Sequence, residues 1–134
     1  MKYQYHADGS PNQEGAIFVF GSNLAGIHGA GAARYAFDFA GAQWGNGVGL
    51  QGDSYAIPTK DYNIVTMGID EIIPYIADFI EVAIANPDLK FIVTRIGCGL
   101  AGYRDEQIAP LFADAPTNCS FAEEWKVYVE PEHA

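Results

Sequence analysis

One stretch limits the fold of this chain more than any other: Phe91-Ile92-Val93-Thr94-Arg95-Ile96-Gly97-Cys98-Gly99-Leu100-Ala101-Gly102-Tyr103. A β-branched apolar run stops at glycine, and the polar run Arg104-Asp105-Glu106-Gln107 then opens a helical pattern. The pattern predicts a strand, a tight loop and a helix. In an open α/β sheet, ligands bind beyond the carboxyl ends of the strands. A loop there that leads into a helix offers free backbone N–H groups to an anion. Without Cβ atoms, Gly97, Gly99 and Gly102 let the backbone curl into an N–H-lined nest that can approach a phosphate closely.

The same grammar occurs earlier. Ile17 to Phe20 reads as a buried parallel strand, apolar on both faces, and runs into Gly21-Ser22-Asn23. A small-residue helix carrying Tyr35, Phe37 and Phe39 as packing residues is predicted from about Ala30. Two such units in 134 residues predict a single α/β domain whose two glycine loops share a sheet edge and hold opposite sides of one phosphorylated ligand.

The first loop does not fit the common nucleotide motifs. The segment Gly26-Ile27-His28-Gly29-Ala30-Gly31 lacks the G-x-G-x-x-G order, and no Lys-Ser or Lys-Thr pair marks a P-loop. His28 reads equally as a ligand contact or as a surface histidine in a turn. The chain has two cysteines, in no C-x-x-C pair, and histidines at 6, 28 and 133, so no metal-ligand spacing emerges. Cys98 lies near a helix start, where a thiolate is stabilised, but no base accompanies it, and it reads as a small packing residue.

Charge excludes another class. The formal net charge is -10, with only 7 basic residues and no basic cluster, so extended nucleic acid, whose binding depends on neutralised phosphates, is an unfavourable partner. A compact nucleotide held by backbone N–H groups is compatible with that charge. No apolar run reaches the roughly 18 residues of a membrane span, and Met1 to His6 shows no signal-peptide core. The expectation is a cytoplasmic protein with no membrane partner.

The remaining elements follow from pattern. Tyr3 and Tyr5 alternate as a short edge strand, ahead of the turn-rich Asp8-Gly9-Ser10-Pro11-Asn12. Residues 41–53 read as a long polar, glycine-rich connection, functional or mobile. Tyr55–Ile57 read as a strand that Pro58 stops, with Thr59 and Lys60 emerging at its carboxyl end. Ile69 to Ala85 is an amphipathic helix with apolar residues at 69, 72, 73, 76, 79, 80, 83 and 84. Pro74 requires a position near its first turn. Lys90–Ile96 is the strand before the central loop, and a helix runs from Asp105 to about Phe112. Trp125 to Val129 alternates as a last strand, and residues 130–134 read as a frayed tail.

Taken together, three motifs resemble the macrodomains, the family that recognises ADP-ribose. Gly21-Ser22-Asn23 with His28-Gly29-Ala30-Gly31-Ala32-Ala33 resembles the family's Asn-bearing strand end and glycine-rich loop. Ile57-Pro58-Thr59-Lys60 and Arg95-Ile96-Gly97-Cys98-Gly99-Leu100 resemble the lysine strand end and phosphate loop of one branch. That branch holds terminal ADP-ribose–protein glycohydrolases, DNA ADP-ribosyl glycohydrolase antitoxins and ADP-ribose-1″-phosphate phosphatases. The resemblance implies a three-layer α/β/α fold with a mixed central sheet. It implies ADP-ribose across the strand ends, with no cofactor or metal.

By the same resemblance, Gly97, Cys98, Gly99, Leu100, Ala101, Gly102 and Tyr103 wrap the diphosphate and distal ribose. Gly21, Ser22, His28, Gly29, Ala30, Gly31 and Thr59 complete the binding surface. Asn23 and Lys60 carry the chemistry. A lysine amine can attack an anomeric carbon or open aldehyde, provided it is present as the free base. Two departures stand out. Ala101 occupies a position where the protein glycohydrolases have an aspartate, and no adenine-reading aspartate stands just before Ile17, Asp8 being a distant candidate. The readings are therefore an ADP-ribosyl hydrolase or phosphatase, a non-catalytic ADP-ribose binding module, or an interaction protein whose loops have lost the ligand.

Overall fold

The computed structural model describes residues 2–131. Six strands form one mixed sheet in the order β1-β6-β5-β2-β4-β3. They are β1 (Gln4–His6), β2 (Ile17–Asn23), β3 (Gly49–Gln51), β4 (Ser54–Lys60), β5 (Phe91–Val93) and β6 (Cys119–Ala122). All neighbours pair in parallel except β3 with β4. The carboxyl ends of five strands therefore share one edge. The helices are α1 (Gly31–Phe39), α2 (Ile69–Ala85), α3 (Asp105–Ile108) and α4 (Lys126–Val129).

Strand pleat divides the core. Side chains two apart share a face, so Ile17, Val19, Tyr55, Ile57, Phe91 and Val93 join the larger cluster with α2, α3 and α4. Phe18, Phe20 and Ala56 join the smaller one with Ala33 and Ala36 of α1 and Ala40 just after it. The chain leaves β2 for α1 on one face and leaves β5 for α3 on the other. The adjacent ends of β2 and β5 are thus a switch point of the kind where such sheets form a crevice.

Several expectations hold. The edge strand, the α2 boundaries and the two strand–loop–helix units stand where the sequence placed them, although the second unit's helix is α only over Asp105–Ile108 and continues as a 3₁₀ turn over Ala109–Phe112. α2 begins with Glu71 accepting from the Gly68 N–H at 3.0 Å and continues through Pro74 in its second turn. Ile73 and Ile84, expected in the core, are exposed; Ile72, Ile76, Phe79 and Ala83 are buried. Phe37 and Phe39 on α1 are likewise exposed, and the alanines of that helix do the packing.

Other expectations need correction. β4 does not stop at Pro58 but runs to Lys60. β3 ends opposite Ala56, so at Pro58 the strand has a sheet neighbour only on the β2 side, and a missing N–H on the open side costs no ladder bond. Within the 41–53 connection, Gly49–Gln51 form β3, which the sequence reading did not include. β5 ends at Val93; just beyond it the Thr94 N–H and Oγ1 both donate to the Val19 carbonyl, at 3.1 and 2.8 Å, and the Thr94 carbonyl accepts from the Ile96 N–H at 2.8 Å. Residues 125–129 are not a strand. Glu123–Trp125 form a 3₁₀ turn and Lys126–Val129 is α4, which buries Trp125 and Val129 while Val127 is exposed. Glu130 is not frayed: it accepts from the Lys2 N–H and, at 2.5 Å, from the Tyr5 hydroxyl. The rest of the expected tail, 132–134 with His133, lies outside the described residues.

Candidate functional site

A cavity of about 700 Å³ opens at the carboxyl edge of the sheet, within the ~300–1,000 Å³ range of small-ligand sites. Four strands deliver its walls. The β2 end supplies Gly21, Ser22 and Asn23, and the loop into α1 adds Gly29, Ala30 and Gly31. The β4 end supplies Thr59 and Lys60, and the chain beyond β5 supplies Gly97, Cys98, Gly99, Leu100 and Ala101. The β1 end adds His6 and Asp8. Gly21 and Gly97 meet at the switch point, where a Cβ on Gly21 would stand 3.5 Å from the Gly97 nitrogen.

Both glycine loops present unpartnered N–H groups. Among the described residues, the backbone N–H groups of Gly97, Gly99, Leu100 and Ala101 donate to no protein acceptor, whereas those of Cys98, Gly102 and Tyr103 close the loop on Arg95, Gly99 and Gly97. Across the cavity, α1 starts at an N-cap, Ala30, with no side chain to bond its first turn, and that turn contains no acid. The N–H groups of Gly31, Ala32 and Ala33 likewise lack acceptors, and all three residues line the cavity. An uncapped helix start typically costs about 1 kcal/mol relative to Ser or Asp, a cost that an anionic ligand offsets.

Lys60 forms no ion pair among the described residues, although it stands at the cavity wall and is only partly buried. Its strand is joined to β2 through a bulge: Ser22 pairs with Pro58, but Asn23 pairs with Lys60, so Thr59 is skipped. Asn23 is buried and braces its own loop, with Nδ2 donating to the Ile27 carbonyl at 2.8 Å and Oδ1 accepting from the Ile27 N–H at 2.9 Å. A carboxamide has a second donor and a second acceptor position, which leaves Asn23 some capacity for a ligand.

The Lys60 side is closed by a short hairpin. Asp61 Oδ1 accepts from the N–H groups of Asn63 and Val65, at 2.8 and 3.0 Å, and Lys60 bridges Thr66 in antiparallel fashion. At its tip Ile64 has φ +63° and lines the cavity. For a β-branched residue that conformation is strained.

Three predicted site residues do not line the cavity. His28 is neither at the surface nor at the wall. It is fully buried, with Nε2 bonded to the carbonyls of Gln43 and Asn46 at 2.8 and 3.0 Å. It fastens the first glycine loop to residues 43–46, and Trp44 packs beside it and Phe37 away from the cavity. Gly102 and Tyr103 shape the second loop: Gly102 takes φ +88°, and the Tyr103 hydroxyl donates to the Met67 carbonyl at 2.6 Å.

Cys98 lines the cavity, but burial, then the neighbouring Asp105, pushes its thiol up to about 12. It stays protonated at neutral pH and is no nucleophile. Among the described residues, no group of three His, Cys, Asp or Glu side chains could hold a metal ion, and no helix is long and apolar enough to cross a membrane.

Sequence reasoning undervalued His6, Asp8 and Arg95. Asp8 lines the cavity rather than lying remote from it. The signal was present in the turn Asp8-Gly9-Ser10, which directly follows an alternating strand and so sits at a strand's carboxyl end. Arg95 lines the cavity and pairs with Asp8 and Asp105. No family model, curated protein or solved structure matches this chain.

Proposed function

We propose that this protein binds ADP-ribose, or an ADP-ribosylated substrate, in the cavity and hydrolyses the ADP-ribosyl or terminal phosphate linkage. One observation carries the reading: two separate sets of unpartnered backbone N–H groups, at Gly31–Ala33 and at Gly97–Ala101, line one cavity together with the unpaired Lys60. In a chain of net charge -10, that concentration of donors favours a compact anion with two phosphates over any polyanion. The resemblance of the same loops to macrodomain motifs supplies the identity of the anion.

In this reading the Gly97–Ala101 loop and the α1 start hold the diphosphate from opposite sides. The Lys60 nitrogen attacks the distal anomeric carbon while the bond to the leaving group breaks, the proton it sheds passing to the leaving group, and water then releases the sugar and restores the amine. Asn23, fixed by Ile27, orients the distal ribose.

A second reading, capture without turnover, is favoured by a specific feature. Ala101 offers no acid, and the only carboxylate among the described lining residues, Asp8, is paired with Arg95 at 3.2 Å. Calorimetric titration with ADP-ribose, with AMP and phosphate as comparisons, tests binding; micromolar affinity supports both readings and no binding removes both. Lys60→Ala separates them. It abolishes turnover with affinity nearly intact if the amine is catalytic, and lowers affinity alone if it is a contact.

A further inference from the structure

Arg95 lies at the cavity wall yet is committed elsewhere. Its Nε and Nη2 donate to the two oxygens of Asp105 at 2.9 and 2.7 Å. Nη1 donates to Asp8 at 3.2 Å, and Glu124 lies 3.9 Å away. The bidentate pair fixes the guanidinium plane. Asp105 in turn accepts from the Trp125 indole N–H at 2.7 Å. Three carboxylates surround one cation, so Arg95 has little charge left for a phosphate.

The chain places these partners on different parts of the site. Asp8 follows β1, Arg95 precedes the glycine loop, Asp105 opens α3 directly after that loop, and Trp125 is in the core beneath it. The Gly97–Ala101 loop therefore leaves from Arg95 and returns at Asp105, and the bidentate pair closes its base.

We propose that Arg95 is a positioning residue that couples the β1 side of the cavity to the glycine loop, so that a change at Asp8 is transmitted to the loop amides through the guanidinium. The pair with Asp8 is the exchangeable contact, since the Asp8 side chain is 40% exposed while that of Asp105 is 19% exposed. A ligand that draws on Asp8 alters what Asp8 asks of Arg95, and the plane of Arg95 sets the loop's take-off direction. By linkage, occupancy of the loop acts equally on Asp8.

The chain's two tryptophans make the test direct. The indole N–H signal of Trp125 reports on Asp105, and that of Trp44, away from the network, is the control. Asp8→Asn is expected to shift the Trp125 indole signal and the amide signals of Gly97–Ala101 without moving Trp44. In an Arg95→Met background the same substitution shifts neither, and Arg95→Lys, which cannot reproduce the bidentate geometry, restores the Asp8 effect only weakly. No shift beyond the neighbours of residue 8, or an equal shift in both backgrounds, overturns the coupling.

A second arm rests on the nucleotide reading. Asp8→Asn and Arg95→Met each lower ADP-ribose affinity by about tenfold, and the double variant loses little more than either alone. Losses that multiply overturn the proposal. Failure of the unmodified protein to bind ADP-ribose removes the nucleotide reading, while the indole signals still decide the coupling.

Discussion

Thr66 Oγ1 donates to the Ala101 carbonyl at 3.0 Å, and this bond fastens the hairpin after Lys60 to the glycine loop. The Tyr103 hydroxyl adds a second tie at Met67. Hairpin and loop thus form one rim, although 35 residues separate Thr66 from Ala101 in the chain.

Thr66→Val removes the first tie and keeps the β-branched shape. An exposed hydrogen bond of this kind is worth about 0.5–1.5 kcal/mol. The melting temperature is expected to change little, and ADP-ribose affinity to fall by a few-fold, as read by calorimetry. An unchanged affinity would show that the two sides of the rim act independently.

The α1 start predicts a trade between stability and binding. Ala30 already has the extended conformation of an N-cap, φ -154° and ψ 162°. Ala30→Asp supplies an acceptor for the free N–H groups and raises unfolding free energy by about 1 kcal/mol. The new carboxylate also occupies the space of the anion and repels it, so ADP-ribose binding is lost. Denaturant unfolding and titration on the same sample check both halves.

Gly97 and Gly99 differ in what a side chain would meet. Gly97 has φ +79°, and a Cβ there would stand 3.3 Å from Ile108, so Gly97→Ala destabilises the fold by about 1 kcal/mol or more. A Cβ on Gly99 meets nothing within 4 Å. Gly99→Val is therefore expected to leave stability within about 0.5 kcal/mol of the parent while filling the phosphate space and abolishing binding. Binding that survives Gly99→Val would remove the loop from the site.

His6 gives the stability a pH dependence. Burial, only partly opposed by Asp8, lowers its pKa below the ordinary 6.5. Between that lowered value and 6.5 the unfolded chain binds more protons than the folded one, so stability is full above 6.5 and declines as pH falls through this window. His6→Gln should flatten the decline in urea titrations at pH 5 to 7. Asp105 contributes in the acid range. Burial pushes its carboxyl up, but the hydrogen bonds from Arg95, Trp125 and Cys98 outweigh that and hold it below 3.8, so its contribution fades only as pH falls beneath that value.

What the sequence made legible follows from the range of the forces involved. The turn into each glycine loop and the amphipathic run of α2 are local patterns, and both stand as read. Trp125 and Val129 fit strand alternation and one helical face equally well, since their spacing of four satisfies both periods. β6 was not recognised, because Cys119-Ser120-Phe121-Ala122 owes its place to burial between β1 and β5 rather than to propensity. His28 was misjudged for the same reason: its acceptors, Gln43 and Asn46, lie 15 and 18 residues away. The two glycine loops were legible as site walls, whereas Asp8 reaches its wall only through a parallel pairing of β1 with β6 near the other end of the chain.

The bulge that skips Thr59 has an evolutionary consequence. Asn23 and Lys60 are partners because the ladder steps over one residue between Ser22–Pro58 and Asn23–Lys60, not because the two side chains attract each other. The arrangement is kept by residue count. As such a lineage diverges, substitutions can accumulate at exposed positions such as Trp44, Val48, Tyr62 and Val65. A single insertion or deletion within 21–23 or 57–60 would instead hand the lysine's place to a different residue and erase the site in one step.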